Sequence, residues 1–336
     1  MGGQVTRYPE EAVVADGSAA AMASAGSRAA GFRHEAMLYS GPEGFLAGTL
    51  PFIQEGVAAG EPTLVVVESE KIEELRDRLG PDAPAVQFAD MGQVGRNPAR
   101  IIPAWRQFVA AHVTGGRPLR GIGEPIGPAR SSDELVECQR HETLLNLAFE
   151  GGARWQLLCP YDVTALEPAV IDEARRSHPF LGEERRGQTS AAYAGRERAV
   201  ADFDEPLPEP PPEARSMGFT HGDLDAVRAF VWAAAAEGDL APHHAADVVA
   251  AVNELATNSL RHGGGRGVVR TWHDGRSMIC DVCDSGHIAW PLIGREPPVV
   301  DQHGGRGLWM VNQLCDLVQL RSSPTGTVVR VHRRSH

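Results

Sequence analysis

A chain of 336 residues is long enough for two domains, and its 42% hydrophobic content suits a globular protein. Its formal charge of −12 argues against a nucleic-acid backbone or an anionic membrane as the main partner, and no apolar run approaches a membrane span. Lys71 is the one lysine and stands in no Gly-rich turn, which excludes a P-loop built on it; five cysteines exclude a fully paired disulfide framework.

Residues 1–30 are rich in Ala, Gly and Ser and lack a basic start followed by an apolar core. They read as a disordered tail with no signal peptide, so a cytoplasmic location is expected. From 31 to 181, strand-like and helix-like segments alternate. The strands expected are Ala36–Tyr39, Thr63–Val67, Ala85–Phe88, Leu119–Gly123 and Trp155–Cys159. The helices expected between them are Pro42–Ala59, Lys71–Leu79, Ile101–Gly115 and Ser132–Glu150. Alternation of this kind predicts an α/β domain with a parallel sheet. Gly41–Gly48 occupies the position of a P-loop without its Lys-Ser/Thr ending.

The stretch 182–216 contains Asp204-Glu205-Pro206-Leu207-Pro208-Glu209-Pro210-Pro211-Pro212-Glu213 and reads as an extended acidic linker. The remainder, 217–336, predicts helices at Asp223–Glu237 and Pro242–His262, then strands Gly267–Asp274 and Ser277–Asp284 joined by the hairpin signal Asp274-Gly275. A helix from Gly305 to Cys315 follows, then strands Leu317–Ser322 and Gly326–His332. Helices on one face of a mostly antiparallel sheet make an α/β sandwich. Cys280 and Cys283 form a CxxC inside a strand, where residues three apart face opposite sides; packing is the expected role.

Three short segments of this second domain carry chemistry together. In Asn253-Glu254-Leu255-Ala256-Thr257-Asn258, Glu254 and Asn258 share one helix face. Asp284-Ser285-Gly286 is a carboxylate entering a turn, and Gly304-Gly305-Arg306-Gly307-Leu308 is a glycine cluster opening a helix, with N–H groups aimed at phosphate. Each alone is also an ordinary solvated face, strand-end turn or loop. In this order they resemble the N, G1 and G2 boxes of the GHKL ATPase fold (the Bergerat sandwich of histidine kinases). The resemblance implies ATP and Mg²⁺ as cofactors. Asn258 would give an oxygen to Mg²⁺, Glu254 would act as general base, and Asp284 would accept from the adenine amino group. Gly286, Gly304, Gly305, Arg306, Gly307 and Leu308 would line the phosphates, and Thr327 would stand near adenine. Ile288 stands where the family usually has a second glycine.

A Pro-rich linker stands where a histidine kinase carries its phosphoacceptor hairpin, so the domain more closely resembles the anti-sigma-factor serine kinases. That implies a homodimer acting on a sigma factor or a STAS-type anti-sigma-factor antagonist. The rivals are a sensor histidine kinase using His141 and a non-catalytic ATP-dependent binding module. Residues 32–180 resemble the MEDS sensory family, through Phe32-Arg33-His34-Glu35-Ala36, Arg96-Asn97-Pro98-Ala99-Arg100, Gly121-Ile122-Gly123-Glu124-Pro125 and Cys159-Pro160-Tyr161-Asp162. That implies a RecA-like fold and a small-molecule ligand. His34, Glu124, His141, Cys159 and Tyr161 are the pocket candidates, as strand-end residues of an open α/β sheet. His34 and Cys159 are able to ligate a metal, but no spacing between them points to one.

Overall fold

The computed structural model describes residues 31–113, 116–182, 187–195, 197–198, 206–297 and 306–335. The 1–30 tail and the G2 glycines Gly304 and Gly305 lie outside the described residues. Residues 31–336 cluster into one compact unit.

The first sheet is built from β1 (Phe32–Tyr39), β2 (Thr63–Val67), β3 (Val86–Asp90), β4 (Leu119–Gly123), β5 (Trp155–Asp162), β6 (Phe180–Gly182) and β7 (Gln188–Thr189), in the order β3-β2-β4-β5-β1-β6-β7. All its pairings are parallel except β6 with β7. Alternation along each strand sends side chains to two faces. Met37, Tyr39, Val65, Val67 and Leu158 pack with Phe45, Phe52 and Ile53 of α1 (Gly41–Ala58) and Ile72 and Leu75 of α2 (Ser69–Leu79). After the one-turn α3 (Met91–Val94), the other face takes Ala36, Val66, Leu157, Cys159 and Tyr161 against α4 (Ile101–His112), α5 (Ser132–Ala148) and α6 (Pro168–Ser177). Gly121 and Gly123 make room for Trp105, since a Cβ on either would lie 2.9 Å from its ring. Helix α5 starts sharply because Ser131 and Glu134 form a reciprocal capping box.

The second sheet, β11-β12-β10-β9-β8, is antiparallel throughout: β8 (Arg215–Thr220), β9 (Arg266–His273), β10 (Ser277–Asp284), β11 (Leu317–Ser323) and β12 (Gly326–Arg334). Helices α7 (Leu224–Glu237), α8 (Pro242–His262) and α9 (Arg306–Leu314) contribute Val231, Val248, Val252, Leu255 and Val311 to a core shared with Val269, Cys280, Val282 and Val329. Cys280 belongs to that core and Cys283 faces the other way, half-buried, as period two requires. On that opposite face, Asp281 takes a two-point ion pair from Arg330 (2.7 and 3.0 Å), which stacks on Trp272. The molecule is thus α/β, with a parallel RecA-like sheet followed by a Bergerat sandwich.

Five elements differ from the sequence expectation. Helices α3 and α6 and strands β6, β7 and β8 were not expected, and β7 and the start of β8 fall within the stretch read as linker. In β8 only Phe219 is buried, so its alternation is too faint to see beside the prolines. Within the linker, the Pro208 carbonyl accepts from Arg330 Nη2 at 2.9 Å.

The two sheets are joined by polar side chains from distant parts of the chain. Asn97 is fully buried; its Nδ2 donates to the Asn312 carbonyl (3.1 Å) and reaches that of Cys315 (3.5 Å), satisfying carbonyls at the end of α9. Arg96 pairs with Asp316 at 2.5 Å. On α5, buried Glu137 faces Arg140 (3.4 Å), Arg321 (2.8 Å) and Arg295 (3.6 Å). Arg140 also donates to the Leu320 carbonyl on the edge strand β11, covering part of an edge otherwise free to pair. Leu292, between β10 and α9, inserts into the core of the first sheet.

Candidate functional site

Helix α8 presents Glu254 and Asn258 one turn apart, both half-buried, beside the apolar stripe of Val248, Val252 and Leu255. The helix ends at Gly263, whose N–H bonds back to the Ser259 carbonyl at 2.8 Å. The Gly263 carbonyl then accepts from Ser285 N (3.2 Å) and Oγ (3.0 Å), tying the helix end to the turn after β10. A Cβ on Gly263 would lie 2.3 Å from Asp284 Cγ, so the glycine sets how closely Asp284 approaches.

The Asp284 carboxylate is fixed at both oxygens. Ser259 Oγ donates to Oδ2 at 2.6 Å and Gly286 N to Oδ1 at 2.8 Å. A carboxylate offers about four acceptor positions, so two remain for a base edge. Behind the turn, buried Thr327 Oγ1 donates to the Gly286 carbonyl at 2.9 Å and lies 2.8 Å from Ser322 Oγ. Ser322 Oγ also accepts from Ile288 N at 2.8 Å, while the Ile288 side chain packs on the domain core. Asp239 is the one non-glycine with positive φ among the described residues, so Ile288 occupies its place without that strain.

Helix α9 begins at the exposed Arg306, with Gly307 next and Leu308 buried in the core. A Cβ on Gly307 would fall 2.1 Å from Glu254 Oε1. The acid therefore lies against the first turn of a helix, where phosphate is favoured. Glu254, Asn258, Asp284, Gly286, Arg306, Gly307, Leu308 and Thr327 stand on α8, the β10 turn, α9 and β12. Ser259 and Gly263 complete the arrangement; the small residue at each position was its only sign in the sequence.

Substituting Gly263→Ala is expected to push Asp284 aside while leaving the fold in place. Overpacking of this size costs about 1–3 kcal/mol, which, where it falls on the bound state, is about 5–150-fold in ATP affinity. Calorimetric ATP titration beside a far-ultraviolet dichroism spectrum checks it.

The sensory candidates divide into two places. Glu124, just past β4, accepts from Tyr39 Oη at 2.7 Å and from Lys71 Nζ at 2.6 Å. It stands at the carboxyl end of the sheet, and burial pushes its carboxyl up despite Lys71. His34 and Cys159 lie inside their strands rather than at the ends, because β1 begins at Phe32 and β5 runs on to Asp162. They face α5 and α6. Cys159 Sγ lies 3.4 Å from His34 Nε2, which lies 3.0 Å from Glu142 Oε2. His178, just after α6, stacks on His34 with ring centroids 4.0 Å apart. Glu142 and His178 carry no motif that sequence reading could use. Tyr161 meets the His178 ring edge-on, and burial pushes its hydroxyl up. His141 is fully buried on α5, and burial lowers its pKa to about 3.

Comparison with known families agrees with these two halves. Residues 33–179 match the model of MEDS, the methanogen/methylotroph, DcmR sensory domain, and residues 219–333 match that of the histidine kinase-like ATPase domain. The chain is a MEDS sensory domain fused to a GHKL-type ATPase domain. No curated protein matches. Among solved structures, the crystal structure of the RsbU and RsbW domains of a Mycobacterium tuberculosis protein matches at 21% identity with a TM-score of 0.27. The match covers 36% of this chain and 33% of that one, and a likeness of this degree bears on neither fold nor partner.

Proposed function

We propose that this chain is a signalling regulator in which the MEDS domain senses a small molecule and sets the state of an ATP·Mg²⁺-dependent protein kinase domain. The acceptor in this reading is a serine or threonine on a STAS-type antagonist or a sigma factor. The observation that carries it is the placement of Glu254 against Gly307, at the helix end where the γ-phosphate would lie. There Glu254 takes the acceptor hydroxyl proton while the hydroxyl oxygen attacks phosphorus and ADP departs with the bridging electrons. Asn258 would hold Mg²⁺ through its side-chain oxygen, one protein ligand being enough for an ion that takes phosphates and water as well. The open acceptor positions of Asp284 fit the adenine amino group and oppose the carbonyl of guanine.

The histidine-kinase alternative needs an accessible phosphoacceptor. His141 is 1% exposed, packed beneath the first sheet, and out of reach of a nucleotide. No helix among the described residues is long and apolar enough to cross a membrane.

The test is the full chain with Mg·ATP and a co-purified STAS-type antagonist. An acid-stable phosphoester on the antagonist is expected. Glu254→Gln should lower its rate by about 10²–10⁴-fold, the usual worth of a general base, with ATP affinity retained. A stably bound antagonist that stays unphosphorylated would leave the ATPase domain as a nucleotide-gated binding module.

A further inference from the structure

Four buried side chains converge beneath the first sheet: His34 of β1, Cys159 of β5, Glu142 of α5 and His178 after α6. Their nearest ligating atoms all lie within 4.8 Å of one another. Glu142 Oε2 is 3.0 Å from His34 Nε2 and 3.3 Å from His178 Nε2, and Cys159 Sγ is 3.4 Å from His34 Nε2.

The proton positions are set by the partners outside the cluster. Asn146 Nδ2 donates to the Ser177 carbonyl at 2.8 Å, so its Oδ1 is the atom facing His34 Nδ1 at 3.1 Å. His34 Nδ1 is therefore the donor. His178 Nδ1 meets the Ala174 carbonyl at 2.8 Å and must donate as well. In a neutral imidazole the other nitrogen is then a lone pair. With both rings neutral, two Nε2 lone pairs would face the same carboxylate oxygen. His178 Nε2 and Glu142 Oε1 have no hydrogen-bond partner despite complete burial. The single thiol proton of Cys159 cannot satisfy three acceptors, and leaving them facing one another is costly. A cation at the centre removes the conflict.

We propose that His34, Glu142, Cys159 and His178 form a four-ligand site for a divalent transition metal of the zinc class. Two imidazoles, a thiolate and a carboxylate are a borderline-soft set; hard Mg²⁺ and Ca²⁺ prefer oxygen alone. Tetrahedral bonds of about 2.0–2.3 Å place ligand atoms roughly 3.3–3.7 Å apart; three of the pairs stand at 3.0, 3.3 and 3.4 Å, and the widest, within 4.8 Å, would draw in on binding. The Nδ1 contacts to Asn146 and Ala174 supply the outer-shell bonds that orient metal-binding imidazoles. On binding, the Cys159 S–H bond breaks, its proton leaves to solvent and the sulfur pair bonds the metal; no redox step is involved. The site fastens two strands, α5 and the segment after α6 to one point, the sensory half of the molecule.

The test uses the full chain without an affinity tag, stripped with a chelator and titrated with Co²⁺. Uptake of about one equivalent is expected, with a thiolate-to-cobalt charge-transfer band and the intense visible bands of a tetrahedral site. Zn²⁺ should displace it. Cys159→Ser should abolish the charge-transfer band, and His178→Gln should weaken binding by more than about 100-fold, beyond the cost of an outer-shell loss. Should Cys159→Ser not fold, His178→Gln read on the same band decides. A folded wild type that takes up no Co²⁺ or Zn²⁺ at micromolar concentration overturns the proposal. So does a cobalt spectrum unchanged in both variants, which would place the ion elsewhere, for instance at the adjacent pair His243 and His244.

Discussion

Asp284→Asn should weaken ATP binding by about 10²–10³-fold. The carboxylate accepts from Ser259 Oγ and Gly286 N through different oxygens. An amide has one oxygen, so its NH₂ must face one of these donors or the adenine amino group. Losing a hydrogen bond to a charged group costs about 1.5–3 kcal/mol, and the unmatched donor adds about 1–3 kcal/mol. Even the lower part of that sum gives the stated factor. The preference for ATP over GTP should collapse at the same time, since a neutral amide no longer repels the guanine carbonyl. Asn258→Ala should behave differently. It is expected to leave metal-free binding nearly intact and to remove the gain that Mg²⁺ confers. Calorimetry of both variants, with and without Mg²⁺, separates a base anchor from a metal ligand. Affinity of Asp284→Asn within threefold of wild type would take Asp284 out of the base-reading role.

Elements with strong periodicity could be read from the sequence directly. Helix α8 and strand β10 run over the very residues their patterns predict, because each buries one continuous stripe against the same core. The residues proposed to hold nucleotide could be picked out for a related reason: they sit at fixed offsets on those two elements. The buried cluster beneath the first sheet was only partly legible. His34, Cys159 and Tyr161 stood out by type, but helix rotation turned Glu142, not its neighbour His141, toward the two strands. His178 follows a short helix in a polar stretch, and nothing local marks it. The join between the two halves left no trace in the pattern. Asn97, Glu137, Arg295 and Arg321 are single polar residues up to 224 positions apart, and a Pro-rich stretch between them suggested separation.

Glu137→Ala should cost more stability than Gly263→Ala, Asp284→Asn or Asn258→Ala. Glu137 is 1% exposed and stands among three guanidinium groups: Arg140 on its own helix, Arg321 on β11 and Arg295 in the segment leading to α9. Burial lowers the Arg295 pKa and the neighbouring Glu137 opposes that shift. Removing the carboxylate leaves buried cations uncompensated, at a cost of about 3–5 kcal/mol. At roughly 2–4 °C per kcal/mol, the melting temperature should fall by about 6–20 °C. Glu137→Gln, which keeps the shape, should lose nearly as much, because charge rather than volume is what is missing. Hydrogen exchange should rise first over residues 290–297 and 306–314. Equal melting temperatures for wild type and both variants would mean that the other contacts across the join, such as those of Asn97, Arg96 and Leu292, hold the halves without Glu137. The consequence for signalling follows from position. Helix α5 holds Glu142 in the buried cluster with His34, Cys159 and His178, and Glu137 at the join. A ligand that shifts α5 must either strain or relieve the contact with Arg295, and through it the approach to the helix carrying Gly307. Such a ligand changes nucleotide affinity only by the difference in its own affinity for the two positions of α5. Cutting the tie at Glu137 should therefore abolish that coupling while leaving the groove of Asp284 and Asn258 able to bind.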